Sequence, residues 1–175
     1  ILEATQEFLH FADRQVAGAA YTELTERQGL RIHLGARVLD AAVGEEGVAL
    51  RYEDEEGEHT LDVDRLVVAV GRKPNTEGLG LDTVGIEPDE HGRIPVDEHF
   101  ATKAENVYAI GDVIAGPMLA HKAEEEGVAC VERLVTGWGH VDHGTIPGVC
   151  YTDPEIAGVG KTEVTRQLAK VLGVE

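Results

Sequence analysis

Apolar and polar positions change rhythm several times along this chain, and each rhythm predicts a different element. Between Asp13 and Gln28, Val16, Ala20 and Leu24 recur at helical intervals, and Gly29 supplies the left-handed stop that a helix end favours. Leu30 to Leu34 alternates in the manner of a strand. Three more short strands are predicted over Ala36 to Val43, Val48 to Tyr52 and Thr60 to Val63. Gly44-Glu45-Glu46-Gly47 and the acidic, glycine-containing stretch Asp54 to Glu58 join them as turns. Together these segments predict an antiparallel β-meander inserted into a larger α/β unit.

Leu66-Val67-Val68-Ala69-Val70 has no polar alternation, so it predicts a strand covered on both faces, as in a parallel sheet. It stops at Gly71-Arg72-Lys73-Pro74-Asn75, and a domain boundary is expected near Pro74 to Leu79, because proline cannot continue a central ladder. Val107 to Ile110 predicts a second buried strand, ending at Gly111-Asp112. A helix is expected from about Pro117, its apolar face carrying Ala120, Ala123, Gly127, Val128, Val131 and Leu134, with Glu124, Glu125 and Glu132 on the surface and Gly137 as terminator. Thr145 to Tyr151 predicts a strand, Thr152-Asp153-Pro154 a turn, Ile156 to Val159 a further strand, and Thr162 to Leu172 a helix with Thr162 as its N-cap.

Charge narrows the functional classes. Acidic residues outnumber basic ones 33 to 15, for a formal net charge of −18, which argues against an electrostatic grip on nucleic acid. A phosphate-bearing cofactor is still compatible, since glycine loops and helix N-termini bind phosphate through backbone N–H groups. No apolar run approaches bilayer length, so no membrane segment is expected. Cys130 and Cys150 are the only cysteines, too few for a disulfide scaffold and too far apart for a local redox or metal motif. His140-Val141-Asp142-His143 lies in a glycine-flanked loop without a third strong ligand, so no metal is expected there. Ile1-Leu2-Glu3 begins without Met and reads as the end of a strand, from which a chain starting in mid-fold is expected.

Candidate chemistry concentrates at Gly111-Asp112. A strand ending in Gly-Asp sets a carboxylate at the carboxyl edge of a sheet, where open α/β folds bind ligands. Asp112 could accept hydrogen bonds from ribose-like hydroxyls, and the following helix offers N–H groups to a phosphate or ring carbonyl. Alone, the pattern also describes a solvated turn. Thr102-x(4)-Val107 before it and Met118-Leu119-Ala120-His121 after it make it more specific. The stretch Thr102 to Asp112 resembles the second FAD-binding motif of the two-dinucleotide-fold flavoproteins, and Gly116 to Ala123 is similar to the dihydrolipoamide dehydrogenases among the flavoprotein disulfide oxidoreductases.

That resemblance implies a partial FAD/NAD-linked reductase fold: the C-terminal part of an NAD-binding domain over 1–74, a central domain with FAD contacts over 75–144, and the start of an α+β interface domain over 145–175. It implies FAD contacts at Asp112, Met118, Leu119, Ala120 and His121, and NAD contacts at Glu3, Val38 and Gly71. On chemistry alone, Glu3 is a surface carboxylate, Val38 any strand valine, Gly71 a turn glycine and His121 a helix-surface residue. It further implies a homodimer, lipoyl domains of 2-oxo acid dehydrogenase or glycine-cleavage complexes as partners, and a bacterial cytoplasm or a mitochondrial matrix as location. The family's redox cysteine pair, its first glycine-rich FAD fingerprint and its His–Glu base do not occur here, so no catalytic residue is assigned and the chain by itself is expected to be inactive. Without the first strands of the NAD sheet, exposed edges and apolar faces are expected to make it poorly soluble. Two rival readings are a mercuric reductase or similar relative, and a non-catalytic module that binds a nucleotide or an acyltransferase partner.

Overall fold

The computed structural model describes residues 1–10 and 12–158, which divide into two compact units, 70–146 and the remainder. The helix expected over Thr162 to Leu172 and the last residue of the strand expected at Ile156 to Val159 lie outside the described residues.

In the first unit, helix α1 (Arg14–Thr22) starts where Asp13, in extended backbone, accepts a hydrogen bond from the Gln15 N–H at 2.8 Å. That side chain satisfies one of the donors every helix start leaves over. A wider π-type turn (Glu23–Arg27) continues the helix, and Gly29, at φ +73°, ends it as the sequence predicts. Val16 and Ala20 are buried against Ile156, with Phe8, Leu9, Ala12 and Cys150 packed around them. Strands β1 (Arg37–Val43), β2 (Val48–Asp54) and β3 (Gly57–Val63) form the expected antiparallel meander in the order β1-β2-β3. A register shift between Val38 and Asp40 marks a bulge in β1. Leu50 and Tyr52 point to the buried face of β2, as period-2 alternation requires. Tyr52 stacks on its cross-strand partner His59 at 5.0 Å, and His59 Nε2 lies 2.8 Å from Asp54 Oδ1. That hydrogen bond holds the Asp54 carboxyl below its ordinary range. Strands β4 (Gly148–Cys150) and β5 (Ile156–Gly158) pair antiparallel around a turn containing a cis Asp153–Pro154 bond.

Three expected strands are not ladders. Leu30 to Leu34 makes only a single parallel bridge, His33 with Leu2, although Glu3 N–H donates to His33 O and His33 N–H to Ile1 O, both at 2.9 Å. Val107 to Ile110 likewise makes one bridge, Tyr108 with Ala101. Leu66 to Val70 departs most. Val67, Val68 and Val70 are 85%, 71% and 93% exposed, and no strand among the described residues pairs with them. The run has the composition of a strand buried on both faces, but the strands and helices that would cover it are not among the described elements.

The second unit packs Ile86, Ile94, Phe100, Ala109 and Ile114 against Ala129 and Cys130 of helix α2 (Ala120–Thr136). The helix begins slightly later than expected, with Leu119 in extended backbone as its N-cap, and ends at Gly137 with φ +78°. Its buried face overlaps the predicted one only at Ala123 and Gly127. Val128, Val131, Leu134 and Val135 are exposed, whereas Lys122 and Glu126 have no exposed surface at all. The reason is local: the side of α2 that meets Ile110 and Gly111 carries Lys122, Ala123, Glu126 and Gly127, and backbone groups there need polar partners.

Two outcomes follow from this packing. The chain on its own is expected to self-associate through its exposed valines, and Val67→Lys with Val70→Lys is expected to reduce the association, as read by light scattering. A monodisperse unsubstituted sample would contradict this. A Cβ added at Gly139 would overlap the Ala129 carbonyl oxygen, so the chain after α2 must shift to accept one. Gly139→Ala is therefore expected to cost about 2–3 kcal/mol in denaturant titration, at the upper end of ordinary substitutions. An unchanged midpoint would remove the close approach as a constraint.

Candidate functional site

Thr102 explains why the segment before Gly111 has its particular spacing. Its backbone N–H and its hydroxyl both donate to the Val107 carbonyl, each at 2.9 Å, closing the intervening turn. Ala109 N–H then donates to Phe100 O at 3.0 Å, which pins the approach to the site. Asp97 caps the facing corner by accepting from the N–H groups of His99 and Ala101, and these bonds hold its carboxyl below the usual range. The chain reaches Ile110 in extended backbone and turns at Gly111, where φ is +75° and a short 3-10 turn (Gly111–Val113) begins. Glycine is suited here on two counts: the left-handed backbone, and an added Cβ that would come 3.1 Å from the Ala123 Cβ.

Gly111 is buried, and its two backbone groups are both held by side chains of α2. Glu126 Oε2 accepts from the Gly111 N–H at 2.7 Å, and Lys122 Nζ donates to the Gly111 carbonyl at 3.0 Å. Lys122 and Glu126 pair with each other at 3.1 Å, and His143 Nε2 lies 2.8 Å from Glu126 Oε1. Asp112, next along the chain, is exposed. Met118, Leu119 and His121 are half-buried and Ala120 is exposed, in the few residues that lead into the first turn of α2. Arg72 reaches the same segment, its guanidinium donating to Met118 O at 3.3 Å. The start of α2 has no side-chain cap, so its partial positive charge is offered to whatever lies beyond Leu119.

The sequence-predicted residues thus fall into two groups. Asp112, Met118, Leu119, Ala120 and His121 lie on one stretch of the second unit. Gly71 belongs to that unit as well, beside Arg72. Glu3 and Val38 lie together in the first unit, where Glu3 O accepts from Ala36 N–H at 2.9 Å, two residues before Val38 in β1. Glu3 Oε1 accepts from the Thr5 N–H at 2.8 Å and from its hydroxyl at 2.9 Å. The backbone bond is the larger cause of a carboxyl pKa below the usual range, so this group stays ionised and oriented. Val38 is half exposed. Two open concavities, about 1220 and 670 Å³ in volume, lie at the β1–β2 hairpin and beside α1, and neither is lined by any of these residues.

Lys122, Glu126 and Arg72 were given no role from the sequence, and His143 was weighed there only as a metal ligand. One signal was available: Lys122, Glu126, Ala129 and Cys130 fall at i, i+4, i+7 and i+8, a single helical face. Burial pushes the thiols of Cys130 and Cys150 above their ordinary pKa, away from the thiolate that disulfide exchange requires, and the two lie in different units.

The family pattern for "Pyridine nucleotide-disulphide oxidoreductase" matches residues 1–127. A dihydrolipoyl dehydrogenase of Cupriavidus necator is 53% identical over 164 residues, covering 93% of this chain and 34% of its own length. A mitochondrial dihydrolipoyl dehydrogenase of Pisum sativum is 46% identical over 177 residues, covering 100% of this chain and 34% of its own. Among solved structures, the Cu(II) complex of RclA, an HOCl-induced flavoprotein disulfide reductase from Escherichia coli, superposes with a TM-score of 0.81 at 30% identity, over 97% of this chain and 38% of that one. The chain therefore spans about a third of the length of the curated relatives it matches. The resemblance drawn from Thr102 to Ala123 is borne out along nearly the whole sequence: this chain belongs to the pyridine nucleotide-disulphide oxidoreductase family and is similar to about a third of dihydrolipoyl dehydrogenase.

Proposed function

We propose that this chain is a part of a dihydrolipoyl dehydrogenase that contributes contacts to FAD and NAD, while the first FAD fingerprint and the groups that exchange electrons with dihydrolipoamide lie elsewhere in the enzyme. The observation that carries this reading is the Gly111-Asp112 turn: a clipped glycine followed by an exposed carboxylate, with the uncapped start of a 17-residue helix a few residues on. These features suit the flavin cofactor. Asp112 would accept hydrogen bonds from ribityl hydroxyls, and the first turn of α2 would face the electron-rich part of the ring or the phosphates. The Met118-to-His121 segment would lie along the cofactor. When bound, FAD supplies the two-electron relay between a dithiol and NAD⁺.

Glu3 suits a nicotinamide dinucleotide for a related reason. An ionised acceptor held by Thr5 would bind the adenosine ribose hydroxyls and repel a 2′-phosphate, selecting NAD over NADP. Val38 would pack on the adenine, and Gly71 would let the dinucleotide approach the backbone. In this reading residues 1–74 complete an NAD-binding domain, 75–144 form the central domain, and 145–175 begin the interface domain of a homodimer. The enzyme would serve lipoyl domains of 2-oxo acid dehydrogenase or glycine-cleavage complexes in a bacterial cytoplasm or mitochondrial matrix. Identity of 53% to a dihydrolipoyl dehydrogenase of Cupriavidus necator supports this reading.

The full-length protein is expected to purify with FAD and to oxidise dihydrolipoamide with NAD⁺, whereas the 175-residue chain alone gives no turnover. Asp112→Ala in the full-length protein is expected to weaken FAD binding by about 10- to 150-fold, the range for losing a hydrogen bond to a charged group. Equilibrium titration of the apoprotein with FAD measures it. A full-length protein without flavin, or one whose FAD affinity ignores Asp112, would overturn the assignment.

A further inference from the structure

We infer that Lys122 and Glu126 are positioning residues for the flavin site, acting through the backbone of Gly111 to aim Asp112; this rests on the FAD reading above. They are the buried charged side chains among the described residues, each with 0% exposure, and they sit one helical turn apart on α2. An ordinary surface pair at this spacing contributes little to a helix, and less with the lysine N-terminal to the glutamate, as here. Burying the same pair carries a desolvation cost that apolar residues of similar volume would avoid. A pair kept in that position needs a further use, and the hydrogen bonds supply one.

Glu126 Oε2 holds the Gly111 N–H, which belongs to the peptide plane entering the glycine. Lys122 Nζ holds the Gly111 carbonyl, which belongs to the plane leaving it. The two soft dihedrals of Gly111 are the rotations between these planes. Fixing both planes therefore locks a glycine, the residue type with the greatest backbone freedom. The plane that leaves Gly111 also contains the Asp112 nitrogen, so its orientation sets where the Asp112 side chain starts. His143, half-exposed and 2.8 Å from Glu126 Oε1, steadies the second oxygen of the same carboxylate. Lys122 is itself confined: a Cβ at Gly116 would come 2.9 Å from its Cε. The arrangement recognises no ligand itself; it orders the backbone on which the carboxylate is mounted.

A positioning role is distinguishable from a merely structural one by a thermodynamic cycle in the full-length protein. Its arms are Lys122→Met with Glu126→Gln, which removes both charges at nearly constant volume, Asp112→Asn, and the combination. FAD affinity of each apoprotein is read by titration, and folding by thermal melting. The paired substitution is expected to weaken FAD binding by about tenfold or more with Asp112 present, and by less than about threefold in the Asp112→Asn background, because groups acting through one another are not additive. Equal losses in both backgrounds would show that the pair supports the fold generally and would overturn the inference. Undiminished affinity with Asp112 present would overturn it too. If the paired substitution does not fold, Glu126→Asp keeps the charge but withdraws the oxygen from the Gly111 N–H, and the same cycle applies. An unsubstituted full-length protein that binds no FAD would overturn the functional reading itself, a result separable from failure of the cycle.

Discussion

Two opposite charges with no access to solvent hold the two peptide planes on either side of one glycine, and that contact sets which face of α2 turns inward. Lys122 and Glu126 each lose several kcal/mol of hydration on burial, by the general estimate of about that size for an ion inside a protein. The loss is offset only because every partner is close: the ion pair at 3.1 Å, the Gly111 N–H at 2.7 Å, the Gly111 carbonyl at 3.0 Å and His143 at 2.8 Å. Removing one member would leave a buried charge unopposed, so the set stands or falls together. The contact orients α2 as well. With Lys122 and Glu126 turned inward, Ala129 and Cys130 join the core, and the valine-rich side of the helix is left outward.

Local signals were legible in the sequence. Gly29 and Gly137 as helix stops and the three segments of the meander each depend on chemistry within a few residues, and each is found, with the last strand starting at Gly57 rather than Thr60. The family, too, could be read from Thr102 to Ala123, since a glycine turn, a carboxylate and a helix start constrain one another closely in sequence. The role of Thr102 lies in a contact that spacing does not reveal: its hydroxyl closes the turn that brings Val107 to Ala109 alongside Phe100 and Ala101.

What was not legible depends on contacts distant along the chain. The run Leu66 to Val70 has the composition of a doubly covered strand, yet composition does not say whether its neighbours are present. In α2, apolar spacing pointed to a face of Ala120, Ala123, Gly127, Val128, Val131 and Leu134, of which only Ala123 and Gly127 turn inward. The decisive requirement was instead the hydrogen-bonding need of a buried glycine peptide contributed from eleven residues earlier. A lysine and a glutamate on a helix ordinarily signal a solvated face. Only their pairing with the Gly111 backbone makes them interior residues.

The candidate contacts share a physical logic. Glu3 and Asp112 are carboxylates presented from ordered backbone, one held by Thr5 and one following a clipped glycine, so hydroxyl-rich ligands would meet acceptors already in place. Hydrogen exchange of the full-length protein, as apoprotein and after reconstitution with FAD, tests this logic most directly. Added protection is expected at the amides of residues 112–114 and 118–121, where the cofactor would lie, with little change across the β1–β3 meander. Reconstitution that leaves those amides exchanging at their apoprotein rates, with protection gained elsewhere, would contradict the assignment of this turn as the flavin-holding site.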